Sequence, residues 1–206
     1  MRNIIRRSPA AIIALVAAVG VAHADLGSDF AVGFNLSTGQ LAVEFNFDDI
    51  EPLSFITTSG FTGWIADDPG FANIVDDEAD EDFYALTGPN SLGTASIAVR
   101  IVSVDPGFRV VDPLGFDPFT GVPLGYVNPG EFFTLGEPDF DDHPFWTVDI
   151  NDWDGLTQTF AVSFQIIDLN GVYSDSDVYT VQFAIPTPGA SALLALAAIS
   201  AARRRR

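Results

Sequence analysis

Gln158-Thr-Phe-Ala-Val-Ser-Phe-Gln-Ile-Ile-Asp168 and Asp177-Val-Tyr-Thr-Val-Gln-Phe-Ala184 decide the fold. Both stretches are rich in β-branched and aromatic residues and read as strands. Leu169 to Ser176 joins them and carries the turn formers Asn170, Gly171, Ser174 and Asp175, each suited to a tight reversal. The pair is therefore an antiparallel unit with a turn between its strands.

The same pattern extends outward. Ala31 to Leu36 and Leu41 to Phe47 flank Ser37-Thr-Gly-Gln40, a four-residue loop with glycine, which is a β-hairpin signature. In the second of these, Phe45 and Phe47 alternate with Asn46, and Val43 with Glu44, as a half-buried strand requires. Ala95 to Val104 sets Ile97, Val99 and Ile101 on one face. Phe108 to Val111, Glu131 to Leu135 and Phe145 to Val148 are shorter strands. No amphipathic helix is legible between Asp25 and Ala184. Strands at short intervals with Gly/Pro turns predict an all-β fold, an antiparallel β-sandwich with long Pro/Gly-rich loops. Asp68-Pro-Gly-Phe71 and Asp105-Pro-Gly-Phe108 are identical, and Pro-Gly is the central pair of a type II turn. The Pro/Gly-rich stretch from Asp105 to Gly136 is expected to lie over one end of the sandwich.

The two ends differ in kind from this body. Met1 to Pro9 carries Arg2, Arg6 and Arg7, Ala10 to Val21 is apolar apart from Gly20, and Ala22-His23-Ala24 is a small-x-small cleavage site. That is the order of a secretory signal peptide, with an apolar region short for a membrane span. Residues 1–24 are expected to be a leader helix removed by signal peptidase between Ala24 and Asp25. At the other end, Ile185-Pro-Thr-Pro-Gly189 is a break, Ala190 to Ala202 is apolar apart from Ser191 and Ser200, and Arg203 to Arg206 follows. Thirteen helical residues reach roughly 20 Å against a hydrocarbon core of about 30 Å. The four arginines would stay cytoplasmic, placing the body outside. Residues 25–184 are thus one domain, about 160 residues long and large enough for a real core.

A short Pro-containing motif, a brief apolar helix and a terminal arginine cluster, in that order, resemble the PEP-CTERM protein-sorting signal. Pro186-Thr187-Pro188-Gly189 stands where that family has Val-Pro-Glu-Pro, and this form is similar to a variant associated with planctomycete-type bacteria. The resemblance covers residues 185–206. It implies export, transient anchoring in the inner membrane, cleavage near the motif by an exosortase-type enzyme, and release to the cell surface or extracellular matrix. It also implies extracellular polysaccharide as a partner. Asp67-Asp-Pro-Gly-Phe71, Leu135 to Trp146 and Ile167 to Asp177 resemble an uncharacterised PEP-CTERM group, some of whose members are zinc-regulated. Those relatives carry His-rich stretches that this chain lacks, so the resemblance extends to the fold and to no ligands.

Charge narrows the partners. Of 9 basic residues, all arginine, only Arg100 and Arg109 lie in the body, against all 28 acids. Such a surface repels nucleic acid and anionic lipid, and its natural complements are divalent cations, basic partners or salt. Cysteine is absent, which excludes thiolate chemistry and leaves stability to core packing by 18 Phe and 3 Trp.

The chemistry-bearing residues then divide into three readings. His143, in Phe140-Asp-Asp-His-Pro-Phe-Trp146, is the one histidine of the body, and no serine sits in a Gly-x-Ser-x-Gly elbow. A hydrolase reading requires His143 and two acids to converge in a pocket, and no enzyme is expected. Calcium takes six to eight oxygen ligands from loops, and three clusters would supply them. They are the acidic run Asp76 to Asp82; Asp149, Asn151, Asp152 and Asp154 before Gly155; and Asp168, Asn170, Asp175 and Asp177 around Gly171. The second has the composition of an EF-hand loop, but Asp154 falls one place late and no glutamate follows at the required distance. The ordinary alternative for both Asp/Asn/Gly turns is Asx-turn chemistry. A carbohydrate-binding module is the third reading, with Trp64, Trp146, Trp153 and Tyr126 as stacking rings. It requires two or more of them coplanar on the surface.

Overall fold

A computed structural model describes residues 29–117 and 121–186. These residues are all-β, with 14 strands and no helix among them. The strands are β1 (Phe30–Asn35), β2 (Gln40–Glu44), β3 (Ile50–Pro52), β4 (Ser54–Thr57), β5 (Thr62–Ala66), β6 (Phe71–Asn73) and β7 (Ile97–Val104). They continue with β8 (Phe108–Val111), β9 (Tyr126–Val127), β10 (Phe132–Gly136), β11 (Asp141–Asp142), β12 (Phe145–Asp149), β13 (Thr159–Asp168) and β14 (Tyr179–Ala184). The expected leader, with Ala22 and Ala24, and the expected sorting residues Thr187, Pro188 and Gly189 lie outside the described residues. Pro186 is the last one described and is exposed.

Three sheets result. The first runs β11-β6-β1-β2, the second β10-β7-β13-β14-β3, and the third β4-β5-β12-β8-β9. β13 is the centre of the second sheet. It pairs with β14 from Thr159↔Ala184 to Phe164↔Tyr179, and on its other side with β7. Its alternation puts Phe160, Val162, Phe164 and Ile166 into the core. The expected β1–β2 hairpin forms too, with Asn35 opposite Gln40 and Gly39 at φ +66° in its loop.

The sheets pack face to face, as in a sandwich. Phe164 of the second sheet lies 4.8 Å from Phe30 and 5.2 Å from Phe71 of the first. Phe183 of the second stacks at 5.0 Å on Trp146 of the third. Phe30 and Trp146 meet edge to face at 6.4 Å, so the three sheets share one core. Each fully buried phenylalanine contributes about 1.5–3 kcal/mol through apolar burial. This aromatic centre therefore stands in for the missing disulfides.

Two expectations are corrected. The sheets are not purely antiparallel: β1 pairs with β6, and β14 with β3, in parallel. In the first case Phe30 and Phe71 stand side by side in register, both fully buried. Core filling sets that pairing, and the short β6 gave no alternation from which to read it. The stretch from Asp105 to Gly136 does not simply lie over one end. β8 and β9 join the third sheet and β10 the second, because Phe108, Val110, Val111, Val127 and Phe133 are all buried.

The identical tetrapeptides also part company. At Asp105–Phe108, Gly107 has φ +86° and Phe108 N–H donates to Asp105 O at 3.1 Å, as a type II turn requires. At Asp68–Phe71, the Asp68–Pro69 peptide is cis and Gly70 is not among the positive-φ glycines. Tertiary partners set this second conformation. Pro69 O accepts from Trp146 Nε1 at 3.0 Å, Gly70 N–H donates to Asp29 Oδ1 at 2.8 Å, and Phe30 N–H donates to Gly70 O at 2.9 Å.

Candidate functional site

The turn acids are organised by their own loops. Asp168 ends β13 and is buried. Its Oδ1 accepts from Ser96 N–H at 2.9 Å and Asn170 N–H at 3.0 Å. Its Oδ2 accepts from Val172 N–H at 2.7 Å and Tyr173 N–H at 3.1 Å. Burial pushes this carboxyl up, but the four backbone donors outweigh it and hold it below the usual carboxylate range. Asn170 donates through Nδ2 to Thr94 O at 3.1 Å. Asp175 pairs with Arg100 at 3.2 Å, and Asp177 accepts from Gln40 Nε2 at 3.4 Å.

The other predicted turn behaves alike. Asp149 Oδ1 accepts from the backbone and side-chain nitrogens of Asn151 at 2.8 and 2.9 Å. Asp154 accepts from Thr157 Oγ1 and from the backbone of Leu156 and Thr157, and these bonds, Thr157's hydroxyl first, lower its pKa. Asx-turn geometry thus accounts for both loops. Among the described residues, no three carboxylates of the predicted set gather within 4.8 Å of one another.

Two groups that draw on residues outside the predicted set do gather at that distance: Glu44 with Glu78 and Glu81 of the acidic run, and Asp29, Asp68 and His143. The first is exposed and purely acidic, and the crowding of Glu44 on Glu78 raises the pKa of Glu78. It borders a cavity of about 710 Å³ over the outer face of the first sheet, floored by Ala31 and Ala72.

The second group joins three distant segments at the corner where β1, β6 and β11 meet. β11 brings Asp141 antiparallel to β6, and His143 follows it directly. Gly70 packs under the ring, where a Cβ would come within 2.6 Å of Nδ1 and Cε1. His143 Nδ1 lies 2.9 Å from Asp67 O and 3.2 Å from Asp68 Oδ1, and Nε2 lies 3.2 Å from Asp141 Oδ1. Burial pushes the imidazole pKa down, but the bond to Asp67 O and the carboxylates of Asp29, Asp141 and Asp68 outweigh it and raise it. Burial also raises the Asp68 carboxyl, as does neighbouring Asp67, and burial and Asp141 raise Asp142. His143 and two acids converge, but the cavity over the first sheet is lined by Asp29 and by neither Asp68 nor His143, and both ring nitrogens face oxygen acceptors.

Sequence reasoning singled out His143 and the segment Asp67–Phe71 but did not join them. No local spacing connects residues 29, 68 and 143.

The stacking rings are dispersed. Trp146 is fully buried and donates to Pro69 O. Trp64 and Trp153 are half-buried and meet at 4.8 Å with planes 66° apart. Tyr126 lies under Arg109, whose guanidinium carbon is 4.7 Å from the ring centre. These four rings make no coplanar platform. Comparison with family models, with curated proteins and with solved structures gives no match for this chain.

Proposed function

We propose that this chain is an exported protein of the cell surface or extracellular matrix, with a structural or interaction role and no catalytic one. Residues 1–24 act as the leader. Residues 185–206 act as a sorting tail with a short apolar stretch, held briefly in the inner membrane and cut by an exosortase-type enzyme. Extracellular polysaccharide is the partner class that goes with such a tail.

The observation that carries this reading is the partition of charge along the chain. Arginines are concentrated in the two ends, and all 28 acids lie between them. The last bond of the body supports it. Ile185 is buried and donates to Gln158 O at 2.9 Å, and Pro186, the next residue, is exposed. The reading does not rest on calcium, because the predicted turn carboxylates have donors from the chain itself.

Surface shaving of the producing cells with protease, followed by mass spectrometry of the chain they carry, tests the proposal. The expected chain begins at Asp25 and ends near residues 186–189. Recovery of an intact chain from Met1 to Arg206, protected inside the cell, would overturn it.

A further inference from the structure

We propose that the corner formed by Asp29, Asp68 and His143 is a binding site for one first-row divalent transition-metal ion. The Asp67 carbonyl completes the donor set. The inference stands apart from export and sorting, since it concerns a site within the folded body.

Three observations carry it. The first is the donor set. A single imidazole with two carboxylates and a carbonyl suits zinc, cobalt or manganese, whereas calcium prefers an all-oxygen shell.

The second is spacing. Donors bound at about 2.1 Å lie roughly 3.0–3.4 Å apart along the edges of a tetrahedron or octahedron. His143 Nδ1 is 2.9 Å from Asp67 O and 3.2 Å from Asp68 Oδ1. The ligand atoms of Asp29, Asp68 and His143 all fall within 4.8 Å of one another. Asp29 Oδ1 accepts from Gly70 N–H at 2.8 Å, and Gly70 is the residue packed under the ring.

The third observation is independent of the acids that would bind the ion. His143 Nε2 faces Asp141 Oδ1 at 3.2 Å. A metal-bound histidine commonly gives its other ring N–H to a carboxylate, which fixes the tautomer and raises the basicity of the coordinating nitrogen. Asp141 sits where that partner belongs and leaves Nδ1 directed at the Asp67–Asp68 side. Coordination through Nδ1 requires the ring proton to sit on Nε2, facing Asp141.

The scaffold is prepared for this role. Pro69 is tied to buried Trp146, Gly70 to Asp29 and Phe30, and β11 to β6. The ligands thus arrive on three segments held by backbone bonds and not on one mobile loop.

The experiment uses the full chain, stripped with chelator and titrated with cobalt(II) while visible absorption is followed. The expected result is a saturable spectrum at one equivalent, displaced by zinc and untouched by excess calcium or magnesium. His143→Gln and, separately, Asp29→Asn should weaken binding by about 100-fold or more. Asp29→Asn keeps a carbonyl for Gly70 N–H, so it remains informative if His143→Gln fails to fold. Glu44→Gln, in the other acidic cluster, should leave the titration unchanged. Absence of a saturable spectrum in the wild type would overturn the proposal. So would cobalt binding that survives Asp29→Asn or a folded His143→Gln undiminished, the result expected if His143 were only an ion-pair brace.

Discussion

The Asp168 turn and the His143 corner use the same side chains to opposite ends. At the turn, one carboxylate meets four N–H donors, all from its own loop or the adjacent Thr94–Ser96 strand entry. Its charge is fully answered by backbone. At the corner, carboxylates from residues 29, 68 and 141 surround one imidazole, and negative charge exceeds what a single ring can offset. A carboxylate saturated with N–H donors is a structural device. Carboxylates crowded on a ring with both nitrogens facing oxygens are the arrangement on which the proposed cation site rests. Acidic density in the sequence does not separate the two cases, but donor count does.

Removing the turn carboxylate should have the larger effect. Asp168→Ala strands four backbone donors, that of Tyr173 buried and the others partly so, and should cost about 3 kcal/mol in urea denaturation. The sign of its pH dependence follows from the lowered pKa. The stabilisation is fully present above the unfolded value of about 3.9 and is lost as pH falls through the lower folded value. The stability gap between wild type and Asp168→Asn should therefore be constant from pH 8 to about 5 and close in acid. A gap that widened in acid would break the comparison.

Gly70→Ala attacks the corner. The new Cβ meets the His143 ring at 2.6 Å, so the ring must swing outward or the backbone must shift. A cost of about 2 kcal/mol is expected, again by urea denaturation, with the histidine proton resonances moved and the Asp168 turn unaffected in amide exchange. Loss of protection at Val172 or Tyr173 in this variant would show that the two regions are not independent. The smallest effect belongs to Asp149→Ala, in the turn closed by Asn151. About 0.5 kcal/mol or less is expected, and a cost comparable to that of Asp168→Ala would mean that burial does not set the difference.

The same contrast explains what the sequence disclosed. Strands with sustained patterning, such as those at Thr159–Asp168 and Tyr179–Ala184, were legible because burial largely alternates along them, and Ile97–Val104 because it is a β-branched run. The Asp168 turn was legible as turn chemistry, since Asn170 and Gly171 are local signals. Strands Ile50–Pro52 and Phe71–Asn73 were not, because three residues carry no period and their pairing is parallel and remote. Asp68–Phe71 misled for a related reason. The same four residues at 105–108 make the turn their sequence predicts, whereas at 68–71 Asp29 and Trp146 dictate the backbone. The candidate site shared that fate: His143 stood out, but its companions lie 75 and 114 residues upstream along the chain.

The most direct test of the contrast is a carbon-detected NMR titration of the aspartate carboxyls in metal-free protein. Asp168 and Asp154 should titrate below the ordinary range near 3.9, and Asp68 and Asp142 above it. If instead Asp168 titrated at or above Asp68, the contrast between a donor-saturated carboxylate at the turn and a buried, crowded one at the corner would fail.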